Sequence, residues 1–158
     1  DAVKLENYGD NYKIIKLLTR KGFPVMGHIG YTPQFKKSFK IEGETKIKAL
    51  QLLKEAKLIE KAGAFSMVLE CISPDAAKLI TSNLKMITIG IGSSSNCDGQ
   101  ILVTDDMLGI SGFYPRFVKK YLNLDRIIEK AVKKYTREVK IKKFPISKNF
   151  LYGRKFRK

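Results

Sequence analysis

Two kinds of stretch alternate along this chain. Short apolar runs close on polar or glycine-rich patches: Val3-Lys4-Leu5-Glu6, Pro24-Val25-Met26-Gly27-His28, Ser66-Met67-Val68-Leu69-Glu70 and Ile87-Thr88-Ile89-Gly90-Ile91-Gly92-Ser93. Between them lie segments whose apolar residues return every three or four positions. The first pattern predicts strands and the second amphipathic helices. Strands are predicted over 2–5, 24–28, 65–69, 86–91 and 100–103. A helix over 11–20 carries Ile14, Ile15, Leu17 and Leu18 and stops at Gly22; a longer one over 45–62 carries Ile47, Leu50, Leu53, Ala56 and Leu58 and stops at Gly63. Ser73 as N-cap and Pro74 at the first helical position open a helix over 74–83. The stretches 29–43 and 104–115 read as loops, and helices are predicted over 117–121 and 124–139.

Strand–helix alternation implies parallel pairing through right-handed crossovers. The fold class expected is α/β of the (βα)8 TIM-barrel type, with about five of the eight strands in this chain. In such a barrel the loops after the strands' carboxyl ends build the active site, so polar residues at those ends are candidates for chemistry. Residues 1–139 form the barrel part with its terminal helices, and 140–158 a basic tail. The chain has 158 residues, enough for a real core yet short of the roughly 250 of a complete barrel. It opens at Asp1 directly into a strand. The expectation is that front strands lie outside this sequence.

Composition narrows the function classes. No apolar run approaches the roughly 20 residues that span a bilayer, and no charged-then-apolar leader opens the sequence, so a cytoplasmic protein with no membrane partner is expected. The net charge of +16 raises nucleic acid as a partner. Its distribution argues against one: Lys46, Lys48, Lys54, Lys57 and Lys61, then Lys130, Lys133 and Lys134, are interspersed with Glu44, Glu55, Glu60 and Glu129 on polar helix faces. Only the tail is basic almost without acid, and its aromatics Phe144, Phe150, Tyr152 and Phe156 show no regular interleaving. Cys71 and Cys97 form no close pair, which points to reduced thiols rather than a disulfide or zinc site.

Glu70 is the sharpest single candidate. A carboxylate ending Met67-Val68-Leu69 is partly desolvated and so accepts a proton more readily, unless it simply faces solvent. Lys4 and Glu6 alternate with Val3 and Leu5, so both can face a barrel interior, one toward an anionic substrate and one toward a metal; an ordinary exposed strand shows the same alternation. His28 is the sole histidine. It is flanked by Gly27 and Gly30, which permit close approach of a ligand, although a lone histidine also serves as a structural group. Gly90-Ile91-Gly92-Ser93-Ser94-Ser95 has the composition of a phosphate cradle without the spacing of a nucleotide motif.

Four segments together carry a resemblance: Pro24-Val25-Met26-Gly27-His28-Ile29-Gly30-Tyr31-Thr32-Pro33-Gln34, Val68-Leu69-Glu70-Cys71, Ile89-Gly90-Ile91-Gly92 and Asp98-Gly99-Gln100-Ile101-Leu102-Val103-Thr104-Asp105-Asp106. From residue 1 to at least 139 the chain resembles ketopantoate hydroxymethyltransferase. The resemblance implies a (βα)8 barrel in which Mg²⁺ chelates 3-methyl-2-oxobutanoate, a base removes its C3 proton, and the enolate takes a one-carbon unit from 5,10-methylenetetrahydrofolate. It also implies a homodecamer. By similarity Glu70 is the proton acceptor, Lys4 and His28 bind substrate, and Glu6 is a metal ligand. The family's two magnesium-binding aspartates and a substrate-binding serine lie on strands before the one at Val3–Glu6, where this sequence has no counterpart. An inactive remnant or interaction module of the same fold, or another magnesium-dependent 2-oxo-acid aldolase or lyase, are the alternative readings.

Overall fold

The computed structural model describes residues 1–151; the end of the basic tail, with Tyr152 and Phe156, lies outside the described residues. The chain divides into two compact units, 1–102 and 103–158. In the first, β1 (Val3–Glu6), α1 (Asn11–Arg20), β2 (Val25–Gly30), α2 (Lys46–Lys61), β3 (Ser66–Glu70), α3 (Pro74–Thr81), β4 (Ile87–Ile91) and β5 (Gly99–Gln100) follow one another. All pairings are parallel and the order is β1-β2-β3-β4-β5, so each new strand joins the last, as in a barrel wall. This is an α/β fold with a five-stranded parallel sheet, part of a TIM barrel.

The period-2 alternation of each strand separates its two faces. Val25 and Ile29 of β2 and Met67 and Leu69 of β3 join Ile15, Ala49, Leu52, Ala56, Ile59, Ala76 and Ile80 in one core between sheet and helices. Burying each of the larger of these side chains contributes about 1.5–3 kcal/mol. Gly27 sets how near α2 comes: a Cβ there would lie 2.6 Å from Ile59 Cγ2.

Several expected features are corrected. The buried stripe of α2 is Ala49, Leu52, Leu53, Ala56 and Ile59, whereas Ile47, Leu50 and Leu58 are exposed. Apolar residues surround this helix, so two rotational phases fit its sequence; the one presenting small alanines packs closer to the sheet. Of the α1 residues only Ile15 is fully buried. Ser73 holds the N-cap position of α3, but its hydroxyl donates to the Gly43 carbonyl at 2.7 Å rather than capping the helix. The fifth strand is two residues long and ends before 103, because Val103 already caps α4 (Thr104–Leu108), a helix inside the stretch expected to be loop. The Gly90–Ser95 segment is occupied by structural contacts: Ser93 Oγ donates to the Ile72 carbonyl, and Gln100 folds against Gly90 to donate to the Ser94 carbonyl.

In the second unit α4 ends at Gly109, whose φ of +79° lets the chain leave in the left-handed region. No helix forms over 117–121. The helix α5 (Leu124–Lys140) buries no residue; Ile128, Val132, Tyr135 and Val139 line one side of it and all are exposed. Among the described residues no helix is long and apolar enough to cross a membrane.

Candidate active site

Residues paired across parallel strands point to the same face, so the register assembles the site. Glu6 of β1 pairs with His28 of β2, which pairs with Val68 of β3; Glu70 lies one alternation further along β3 and pairs with Gly30. Glu6, His28 and Glu70 therefore share the sheet face opposite the helices, at the carboxyl ends of three adjacent strands. His28 is wholly buried and Glu6 nearly so, while the Glu70 side chain is 19% exposed.

His28 stands between the two carboxylates. Its Nε2 is 3.1 Å from Glu70 Oε2 and its Nδ1 is 3.8 Å from Glu6 Oε1. Neither ring nitrogen completes a hydrogen bond, so the buried imidazole has a carboxyl group on each side and both of its polar atoms unsatisfied. Such an arrangement holds one carboxylate beside a ring that donates or accepts a proton, the requirement for removing a proton from a weak carbon acid.

The backbone keeps this row in place. Asn7 N–H donates to the His28 carbonyl at 2.8 Å, and Tyr31 N–H to the Glu70 carbonyl at 2.8 Å. The Gln34 N–H donates to Glu6 Oε2 at 3.1 Å, so the turn after β2 covers and fixes the Glu6 carboxylate. Directly after Glu70, Cys71 takes φ +53°, a region rare for residues other than glycine. Its N–H to the Ile91 carbonyl and its carbonyl to the Glu42 N–H, both 2.9 Å, hold it there. Burial and the neighbouring Glu70 charge push the Cys71 thiol up to about 12, so it remains a protonated packing group. At Gly30 a Cβ would lie 2.1 Å from the Glu70 carbonyl oxygen. Only glycine fits there.

Three of the four sequence candidates are thus brought together. Lys4 is not among them: it shares their face but pairs with Met26, one alternation below Glu6, and is exposed. Glu6 offers the hard oxygens that magnesium prefers, yet it turns toward His28. Among the described residues no three His, Cys, Asp or Glu side chains converge as ligands. The described residues do not by themselves form a magnesium site.

Lys36 and Glu42 in the loop after β2, with Asn7 and Glu55, carry no sequence signal as site residues, and Gln34 closes the motif segment 24–34 without an assigned role. Asn7, Lys36, Glu42 and Glu55, with Tyr8 and Tyr12, line a cleft of about 570 Å³ between the loop after β1, the loop after β2 and α2. Glu55 receives only a long 3.5 Å contact from Asn7 Nδ2. Burial raises its pKa above the ordinary carboxylate value, against the opposing pull of the Asn7 amide and of Lys36. Backbone amides and loop ion pairs leave no periodic signal, so only the tertiary structure reveals these residues.

The chain is similar to known proteins over most of its length. The family model for ketopantoate hydroxymethyltransferase matches residues 1–147. A 3-methyl-2-oxobutanoate hydroxymethyltransferase of Francisella tularensis subsp. novicida is 52% identical over 148 residues, covering 91% of this chain and 56% of the relative. Proteins of that name from Sulfolobus acidocaldarius and Pelagibacter ubique are 48% and 45% identical, covering 95% and 94% of this chain and 57% and 58% of their own. The chain therefore spans somewhat more than half the length of the curated relatives it matches.

Proposed function

Because this chain belongs to the ketopantoate hydroxymethyltransferase family, we propose that it carries the proton-abstracting half of a one-carbon transferase acting on a 2-oxo acid, 3-methyl-2-oxobutanoate. The observation that supports this reading is the row Glu6–His28–Glu70 at the carboxyl ends of adjacent strands. Glu70, the partly open end of that row, takes the proton from C3 of the oxo acid. Water opens 5,10-methylenetetrahydrofolate, breaking both carbon–nitrogen bonds of its methylene group to give formaldehyde and tetrahydrofolate; the carbanion adds to the formaldehyde carbon, and the resulting alkoxide takes back the proton held by Glu70 to become the product hydroxyl. His28 sits behind Glu70 and steadies its carboxylate as it gains and loses the proton. Lys4 on the same face attracts the substrate carboxylate. Glu6 would offer one carboxylate oxygen to magnesium, which when bound would supply Lewis-acid stabilisation of the enolate, the other ligands coming from substrate and from outside this chain. A cytoplasmic location and a homo-oligomer of the family's decameric kind complete the reading.

Replacing Glu70 with Gln tests the central step. The carbon-bound proton then has no acceptor, so turnover falls on the order of 10²–10⁴-fold while the Michaelis constant for the oxo acid changes little. Exchange of the C3 proton with deuterated solvent, followed by NMR without folate, falls in parallel. An unchanged exchange rate removes Glu70 from the mechanism.

A further inference from the structure

The loop after β2 does more than cover the site. It leaves β2 with Tyr31 N–H on the Glu70 carbonyl, turns at Thr32, whose carbonyl accepts from the N–H groups of Phe35 and Lys36, and places the Gln34 N–H on Glu6 Oε2. Pro33 contributes no N–H, so Gln34 carries the first amide of the turn free to reach the carboxylate. On its return the loop is sewn to the end of β3: Glu42 N–H donates to the Cys71 carbonyl, Ser73 N–H to the Glu42 carbonyl, and Glu42 bridges to Ile72. The intervening residues 37–41 are exposed. The rings of Tyr31 and Phe39, with centroids 5.4 Å apart, and the Lys36 side chain join the outward and returning arms. Lys36 Nζ donates to the Gly30 carbonyl at 2.8 Å and to Glu42 Oε1 at 2.6 Å.

We propose that the Lys36–Glu42 pair is a positioning clasp that fixes Glu6 against His28, and through His28 sets the placement of Glu70. The function of the row rests on the reading given above; the clasp itself does not. Lys36 closes the turn that holds Gln34 and ties it both to the end of β2 and to a segment anchored beside Glu70. The stacked pair Tyr8–Phe35, ring centroids 4.7 Å apart, steadies the same turn toward the loop after β1. It makes no link to β3. Without the clasp the Gln34 amide drifts from Glu6 Oε2, the carboxylate is free to turn, and the ring that separates it from Glu70 loses one wall. Lys36 and Glu42 touch neither Glu70 nor His28, so they act through others.

An ion pair with side chains 36% and 27% exposed adds little to stability, so variants at either position keep the fold, which thermal melting checks. His28 is the sole histidine, and its ring gives a single set of imidazole NMR signals that report on the row whether or not the protein turns over. In Lys36→Met those signals shift or broaden at constant pH, and kcat falls about 10- to 100-fold with the Michaelis constant for the oxo acid nearly unchanged. Glu42→Gln moves the signals in the same direction. Lys36→Arg, which keeps the charge and the donors, returns both the signals and kcat toward the parent. Parental His28 signals in Lys36→Met, or a folded Lys36→Arg that behaves like Lys36→Met, overturns the clasp. Displaced and rescued signals, with no transferase activity even when the chain is co-expressed with the part of the Francisella relative that lies outside the match, leave the clasp standing and overturn the proposed reaction instead.

Discussion

Cys71 shows how a residue beside the chemistry is kept out of it. It follows Glu70 directly, yet its side chain is buried and its thiol is pushed up to about 12 by burial and by the Glu70 charge. The thiolate, the reactive form, is therefore scarce at neutral pH. In the folded protein at pH 8, iodoacetamide leaves Cys71 unlabelled, and labelling followed by peptide mass spectrometry appears only in denaturant; rapid labelling of the folded chain contradicts the burial. The sequence expectation of a reduced, unpaired thiol agrees with this. His28 was less legible. A lone histidine is more often a structural group than a functional one, and only the 3.1 Å and 3.8 Å approaches of two carboxylates distinguish it from a satisfied core group.

At the scale of elements, α2 illustrates where periodicity runs out. Its existence and its ends are clear from Thr45, whose hydroxyl accepts from the Lys48 N–H, and from Gly63 beyond its last turn, at φ +97°. Which face it buries is not, because leucine and isoleucine occur all round it. The adopted phase turns Glu55 toward Asn7 and the cleft, where burial raises its pKa above the ordinary carboxylate value. The sign of the consequence follows from linkage. A carboxyl whose pKa is raised by folding favours the folded state when protonated, below its unfolded value, and that contribution is lost as pH climbs through the raised value. Glu55→Gln removes this loss. It is expected to raise the melting temperature at pH 7, with the gain shrinking as pH falls into the ordinary carboxylate range. A melting curve series across that range checks it, and a variant less stable than the parent at pH 7 refutes the assignment of burial as the dominant cause.

At the scale of the whole molecule the sheet presents β1 and β5 as its two outer strands, and β1 keeps Val3 and Lys4 exposed. The chain also spans somewhat more than half of its relatives' length. On the proposed reading, the magnesium ligands that this chain does not supply come from the part of those relatives that the match leaves out. Co-expression of this chain with that part of the Francisella protein is expected to give product formation well above either piece alone, measured with magnesium and methylenetetrahydrofolate. Equal activity of the isolated chain would show that its own residues suffice. The net charge of +16 sits on exposed lysines such as Lys54, Lys57, Lys130 and Lys134, a solvated distribution consistent with the small-molecule chemistry proposed here.

The sequence by itself determined the alternation of strand and helix, the parallel order that follows from short crossovers, and the polar residues at the strands' carboxyl ends. These are local properties: period, cap and turn residues act within a few positions of one another. Tertiary structure alone decided that Glu6, His28 and Glu70 stand in one row, that Lys4 lies a layer beneath them, and that Lys36 and Glu42 close the loop above. Register across neighbouring strands and the packing phase of α2 against Gly27 set those relations, and both depend on contacts between residues far apart in the chain.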